Sequence, residues 1–327
     1  SEAALRQCYS REGKRRSAQI SLIAQTASAW LTLAADQSLL AMTRDTLSTY
    51  EKTLRLTQHQ YDAGAVSGLV LAQAQTQVET ANSDVAYYSG LVEQDRHALD
   101  LLAGSPVAAE DQPQGFSDDL VAMTALPAGV PSTLLLRRPD IQAAEHSLLS
   151  ANANIGAARA AFFPSISLTS SAGTASSDFS GLFDAGTRFW NFIPQVNLPI
   201  FQGGALRANL GVAKANRDIA LATYEKSIQT GFREVADAIS LSATLAAQRA
   251  AGGRLLTAAT RAEQLSNARY KAGYDSYLNL LDAQRTLYSA QQGLVSARLA
   301  EQSNRVSLYT AMGGGWQAET VVADVGQ

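Results

Sequence analysis

The chain has 327 residues, with 46% hydrophobic and 17% charged residues and a formal net charge of −3. That length suits one or two ordinary domains, and the mild acidity excludes the basic stripe of a nucleic-acid binder. Its one cysteine, Cys8, excludes an internal disulfide and a cysteine-based metal site and reads as a buried or incidental thiol. No apolar run reaches the roughly 18 residues of a transmembrane helix.

From Glu2 to Gln60 there is no proline and one glycine, Gly13, and apolar residues such as Leu22, Ile23, Trp30, Leu33, Leu40, Leu47 and Leu54 recur at helical spacing. The pattern predicts a helix on the order of 85 Å long. It needs other helices beside it, because local propensity alone stabilises an isolated helix too little. Tyr61-Asp62-Ala63-Gly64 is the stop, with Gly64 suited to a left-handed cap. A second helix is expected from about Ser67 or Gly68 to Leu102, ending at Gly104-Ser105-Pro106, so the two form an antiparallel hairpin. Ser105 to Pro139 holds five of the eight prolines and reads as an outer connector.

Asp140 to Ala160 is expected to be helical, with Ile141, Ala144, Leu148, Leu149 and Ile155 on one stripe. After Pro164 the period changes. Ser165 to Thr169 and Pro194 to Ile200 alternate polar and apolar residues, which predicts two β-strands around a Gly/Ser/Asp-rich loop, Gly173 to Gly186, followed by Trp190 and Phe192. Two readings are open: strands of a membrane β-barrel, with Ile166, Leu168, Val196 and Leu198 facing lipid, or an ordinary surface hairpin. Helical spacing then runs from Leu206 to about Arg269, with the Gly252-Gly253 pair expected as a bend or a crossing point, and a polar tail closes the chain.

The chain repeats itself. A shift of 209 residues lays Tyr61-Asp62-Ala63-Gly64 on Tyr270-Lys271-Ala272-Gly273 without a gap. The same shift lays Leu71 on Leu280, Ala74-Gln75 on Ala283-Gln284, Ala81 on Ala290 and Gly104 on Gly313. Two equivalent helical hairpins follow. The segment from about Arg138 to Asn209 has no counterpart before residue 1, so the first copy reads as lacking its beginning.

Leu126 to Ser132, Leu135-Leu136-Arg137-Arg138-Pro139-Asp140-Ile141, Ile155 to Pro164, Leu198-Pro199-Ile200-Phe201, Leu280 to Gln284 and Ala311 to Trp316 together resemble the outer membrane efflux protein family, its drug-exporting branch most of all. The resemblance covers nearly the whole chain. It implies a mainly α fold with a membrane β-hairpin: long antiparallel coiled-coil helices forming an α-barrel, plus strands of a trimeric outer-membrane β-barrel. On this reading residues 1–104 are the first helical hairpin, 105–137 an equatorial connector, 138–163 a helix of the second copy, 164–202 the membrane hairpin, 203–315 the second helical hairpin and 316–327 the tail. The resemblance also implies a homotrimer in outer-membrane lipid, partnered by a periplasmic adaptor and an inner-membrane transporter of the resistance-nodulation-division (RND) type. No enzyme activity, metal, cofactor or nucleic acid is implied. Branch members often carry a lipidated N-terminal cysteine, but Cys8 lies inside a helix and is not it.

Within that frame the two glycine turns form the periplasmic tips. Asp282 matches an acid that rings the closed entrance, Asn279 stands where the family has a second acid, and Gln73 is the neutral counterpart of Asp282 in the first copy. Three symmetry-related acids in a constriction favour cations. Tyr270 matches a tyrosine that latches neighbouring coiled coils, although it could equally plug a helix end. The partners of that latch fall at Val70 and Asp275 and differ from the family's, so Asp275 is expected to pair with Arg269 instead. Gly64, Ala65, Val66 and Ser67, with Gly273, Tyr274, Asp275 and Ser276, would meet the adaptor. Rival readings are a duct for type I protein secretion and a purely structural coiled coil. His59, His97 and His146 are scattered without ligand spacing.

Overall fold

The structure, a computed structural model, describes residues 2–116, 137–183 and 185–314. Five α-helices and one hairpin follow in order: α1 (Glu2–Asp62), α2 (Gly68–Ala103), α3 (Pro139–Ala160), β1 (Ser165–Thr174), β2 (Arg188–Asn197), α4 (Ala205–Lys271) and α5 (Tyr277–Ala311), with a 3-10 turn, Phe179–Gly181, between the strands. The connector residues 117–136 and the tail from 315 onward, including parts of the motifs noted above, lie outside the described residues.

The ends of the helices obey the repeat. Asp62 and Lys271 end α1 and α4, and Gly68 and Tyr277 begin α2 and α5, each pair 209 residues apart. Helix α4 is continuous through Gly231 and Gly252-Gly253. Glycine there serves close packing, as at a crossing point. Gly231 is buried, and a Cβ on Gly252 would sit 3.5 Å from the Leu294 side chain of α5.

The chain divides into two compact units, with boundaries inside α1 and α4. The first contains residues 1–15 and 139–229. In it, the start of α1 lies against α3. A Cβ on Gly13 would meet the Pro139 carbonyl oxygen at 2.8 Å and the Ala143 Cβ at 3.0 Å, so only glycine lets the helices approach this closely. The Ser10 and Ser147 hydroxyls bond at 2.8 Å, and the Ser150 hydroxyl donates to the Ala3 carbonyl at 3.0 Å. Cys8 on this part of α1 is exposed, so of the two readings of the thiol the buried one does not hold.

The same unit holds the hairpin. β1 and β2 pair antiparallel, from Ser165 opposite Asn197 to Thr174 opposite Arg188. The strands are longer toward the loop than the alternation suggested, and β2 stops before Leu198, which therefore lies outside the ladder. Pro199 has no N–H with which to continue it.

The second unit, residues 16–138 and 230–327, is held by small cores strung along the helices. Leu33 and Leu40 of α1 pack with Val92 and Leu99 of α2. Nearer the turn, Tyr50 packs with Val78 and Ala81. The many threonines of α1 are accommodated by bonding back to their own helix: Thr43, Thr46, Thr49, Thr53 and Thr57 each donate to the carbonyl four residues earlier. Arg138 is 5% exposed and satisfied twice, by the Ala311 carbonyl and the Glu234 carboxylate, both at 2.8 Å. It thereby ties the last carbonyls of α5 to α4.

One contact between α1 and α2 is electrostatically unusual. Asp36 and Asp95 meet carboxyl to carboxyl, and Asp95 Oδ2 is buried with no further partner. Burial, then the hydrogen bond to Asp36 and its negative charge, push Asp95 up to about 7. The protonated form of Asp95 is therefore favoured beside Asp36. A carboxyl raised from 3.8 to about 7 on folding gives its full stability below the lower value and loses it as pH climbs to the upper one. Asp95→Asn keeps a donor toward Asp36 and removes the titration. The variant should melt above the wild type at pH 8 and close to it at pH 4, as read by far-ultraviolet circular dichroism; an equal shift at both would contradict the shared proton.

Candidate functional site

The two glycine turns are built alike because the sequence gives each helix the same end. Gly64 and Gly273 adopt φ of +73° and +78°, a region that strains any residue with a Cβ. Each donates to the carbonyl three residues back, Gly64 to Tyr61 at 2.8 Å and Gly273 to Tyr270 at 3.0 Å. The next residues, Ala65 and Tyr274, reach back to Gln60 at 2.8 Å and Arg269 at 3.0 Å. These paired bonds satisfy helix carbonyls that would otherwise be free. Ser67 and Ser276 then enter α2 and α5 in extended conformation, without a side-chain cap.

Above the turns the four helices share one core. Ala74, Tyr277, Leu280 and Leu281 are buried, and Leu54, Val70 and Tyr270 pack against them. The Tyr270 ring meets Tyr277 edge-on, with centroids 5.7 Å apart and planes at 61°. Its hydroxyl donates to Gln60 Oε1 at 3.1 Å, so it joins α4 to α1. Burial, followed by the neighbouring Tyr270 and Tyr50, pushes the Tyr277 phenol up to about 12 and keeps it neutral. Gln60 and Tyr277 were not singled out from sequence. A signal existed for Tyr277, which follows Tyr270 by seven residues across the turn.

The copies diverge in their polar chemistry. Arg269 bonds Asp275 through two nitrogens, one contact being 3.2 Å, which is the pairing expected from sequence. The hydrogen bond from Arg269 holds the Asp275 carboxyl below the usual carboxylate range; burial opposes this, and the Arg269 charge and a bond from Asn279 add to the lowering. The matching residues in the first copy are Gln60, Val66 and Val70, which cannot reproduce this. Tyr61, the counterpart of Tyr270, is 44% exposed. Asp282 is exposed on α5 while its neighbours Leu280, Leu281 and Gln284 are buried, and Gln73 on α2 is half-buried. The Asp282 side chain thus lies on the face of α5 opposite its buried leucines. Gly64, Ala65, Ser67, Gly273, Tyr274 and Ser276 are exposed at the turns, and Val66 and Asp275 are half-buried.

The hairpin forms a separate feature of the first unit. Residues opposite one another share a face, so its register sorts the side chains. Ile166 and Val196, Leu168 and Pro194, Ser170 and Phe192, and Ala172 and Trp190 make one face. Ser165 and Asn197, Ser167 and Gln195, Thr169 and Ile193, and Ser171 and Asn191 make the other. The first also carries Thr174 and Arg188 at the loop end and is otherwise apolar except for Ser170, yet Ile166 and Trp190 are each 78% exposed; the second also carries Gly173 and Phe189. Two strands form the whole sheet among the described residues. No described group of His, Cys, Asp and Glu could hold a metal, and no described helix is long and apolar enough to cross a membrane.

Replacing Tyr270 separates its two contacts. Tyr270→Phe keeps the ring on Tyr277 and should cost about 1 kcal/mol, the worth of one hydrogen bond. Tyr270→Ala loses the packing too and should cost about 2–3 kcal/mol. Amide hydrogen exchange around Ala272 to Tyr277 reads both; a phenylalanine variant as damaged as the alanine one would contradict the assignment of most of the effect to packing.

Comparison with known proteins gives a consistent result. A family model described as outer membrane efflux protein matches residues 1–105 and 130–314. The probable efflux pump outer membrane protein TtgC of Pseudomonas putida is 47% identical over 319 residues, covering 98% of this chain and 66% of that protein. The cation efflux system protein CusC of Escherichia coli is 42% identical over 317 residues, 97% of this chain and 69% of its own. The chain thus spans about two thirds of the length of these relatives. Among solved structures, a membrane protein from Pseudomonas aeruginosa superposes with a TM-score of 0.87 at 43% identity, covering 96% of this chain and 71% of that one. The open state of the MtrE outer membrane channel of Neisseria gonorrhoeae gives 0.83 at 39% identity, covering 96% and 71%.

Proposed function

This chain belongs to the outer membrane efflux protein family, and we propose that the protein forms the exit duct of a tripartite pump that expels drugs or other small toxic compounds. The hairpin carries the reading. Its apolar face is exposed and its opposite face is largely polar, as suits a wall with lipid on one side and water on the other. Two strands cannot close a barrel, and an open edge in hydrocarbon leaves backbone groups unbonded. Three chains, each contributing strands and long helical hairpins, supply the closure.

The tips of the helical hairpins are the entrance and the docking surface for a periplasmic adaptor, which joins the duct to an RND-type transporter in the inner membrane. Asp282 is the pore-facing acid: on a threefold axis its exposed carboxylate becomes three, a ring that favours cations. Asn279 is occupied with Asp275, so a second ring is not carried over. Tyr270 and the Arg269–Asp275 pair stiffen the second tip, where opening would have to begin.

Asp282→Ala in the full-length protein should raise single-channel conductance in planar bilayers and reduce cation preference; unchanged conductance and selectivity would remove Asp282 from the entrance. The duct itself is tested by a strain lacking the gene. Susceptibility to toxic compounds should rise and return to normal with the full-length gene, and a strain whose susceptibility never changes would count against export.

A further inference from the structure

Between α1, α4 and α5 of the second unit lies a groove of about 460 Å³, a volume typical of small-ligand sites. Its lining combines acceptors with aromatic surface. Asp45 of α1 and Glu263 of α4 bring carboxylates, and neither has an ion-pair partner among the described residues. Gln284 of α5 is 6% exposed, and its amide oxygen Oε1 is buried with no hydrogen-bond partner. A buried acceptor left in this state is costly. The burial is special to the second copy, because the repeat counterpart, Gln75, is exposed.

Tyr50, Tyr288 and Met42 supply the apolar walls. The Tyr288 hydroxyl is already engaged, 3.0 Å from both Thr43 Oγ1 and Asp84 Oδ2. The Tyr50 phenol is raised by burial first; Arg285 opposes the rise, while Asp84 and Glu263 add to it. Arg285 itself donates to Gln77 Oε1 at 3.2 Å, so this cation is directed to α2 and leaves the two carboxylates unpaired.

We propose that this groove binds a small amphipathic organic cation bearing N–H donors, of the amidinium or primary ammonium type. A donor is needed to satisfy Gln284 Oε1, a positive charge to balance Asp45 and Glu263, and an apolar body to cover the tyrosine rings. An anion would be repelled by the two acids. A neutral apolar molecule would strip water from those acids and satisfy nothing. A bare metal ion would find aromatic and thioether walls in place of oxygen ligands, in a space far larger than its coordination shell.

The inference concerns binding and does not depend on the duct reading. Its test uses the purified full-length protein in detergent, with benzamidine as the cation and benzamide as its neutral counterpart, by isothermal titration calorimetry. Benzamidine should bind at least about tenfold more tightly than benzamide, and Glu263→Gln should weaken benzamidine about tenfold, the effect of losing one charge-assisted hydrogen bond. Gln284→Leu should weaken it comparably, provided its circular dichroism matches the wild type; Asp45→Asn gives a second exposed position that spares the core. Equal binding of benzamidine and benzamide would overturn the proposal. So would wild-type affinity in both Glu263→Gln and Asp45→Asn, or loss of binding in Asp282→Asn alone, which would put the cation at the tip. Failure here leaves export untouched, since susceptibility of the deletion strain is measured without this ligand.

Discussion

The constraint on which the structure depends is the hairpin's unfinished hydrogen bonding. β1 and β2 bond to each other along ten residues apiece, and each strand keeps a second edge that no described strand covers. In water such edges are a hazard; in hydrocarbon they are prohibitive. The apolar face raises the demand further, because Ile166, Leu168, Phe192, Trp190 and Val196 stand exposed where a soluble protein would bury them. Further strands must complete the sheet, and on the proposed reading they come from copies of the same chain.

Beside the hairpin, one supersecondary unit is used twice and then specialised. The glycine turns share dihedral angles and hydrogen bonds to within small differences, so backbone geometry has been kept while side-chain chemistry has drifted. The second copy gained the acids and the aromatic packing: Arg269 with Asp275, Tyr270 on Tyr277, and Asp282 on the water-facing side of α5. The first copy has Gln60, Val66, Tyr61 and Gln73 at the equivalent places. The backbone plan is shared, but only the second turn carries a paired arginine and aspartate.

Much of this was legible in the residues. Helix ends were readable because Gly64 and Gly273 are required by the backbone, and because the repeat supplied each boundary twice. Asp275 could be paired with Arg269 because both lie at one turn. The strand limits were harder. In β2, Arg188 to Ile193 is dense in aromatics on both faces, since Phe189 and Ile193 break the alternation that Trp190 and Phe192 begin. Only pairing with β1 reveals which side chains share a face. Leu198 kept the alternation but fell beyond the last ladder bond, a backbone property that hydrophobic pattern does not record. Gly252-Gly253 left a bend and a crossing point open because glycine serves both in a helix, and the close approach to Leu294 is a tertiary contact. The shared proton of Asp36 and Asp95, like the buried oxygen of Gln284, arises between helices and has no local sequence signal.

The central claim is that the hairpin separates lipid from water. It is tested most directly by nitroxide labels placed one at a time from Ser165 to Ala172 in the full-length protein, with Cys8 replaced by serine, in outer-membrane lipid. Collision rates with oxygen, which prefers lipid, and with a water-soluble nickel chelate should alternate: oxygen dominant at Ile166, Leu168, Ser170 and Ala172, nickel dominant at Ser165, Ser167, Thr169 and Ser171. Nickel accessibility at every position, without a period of two, would contradict it.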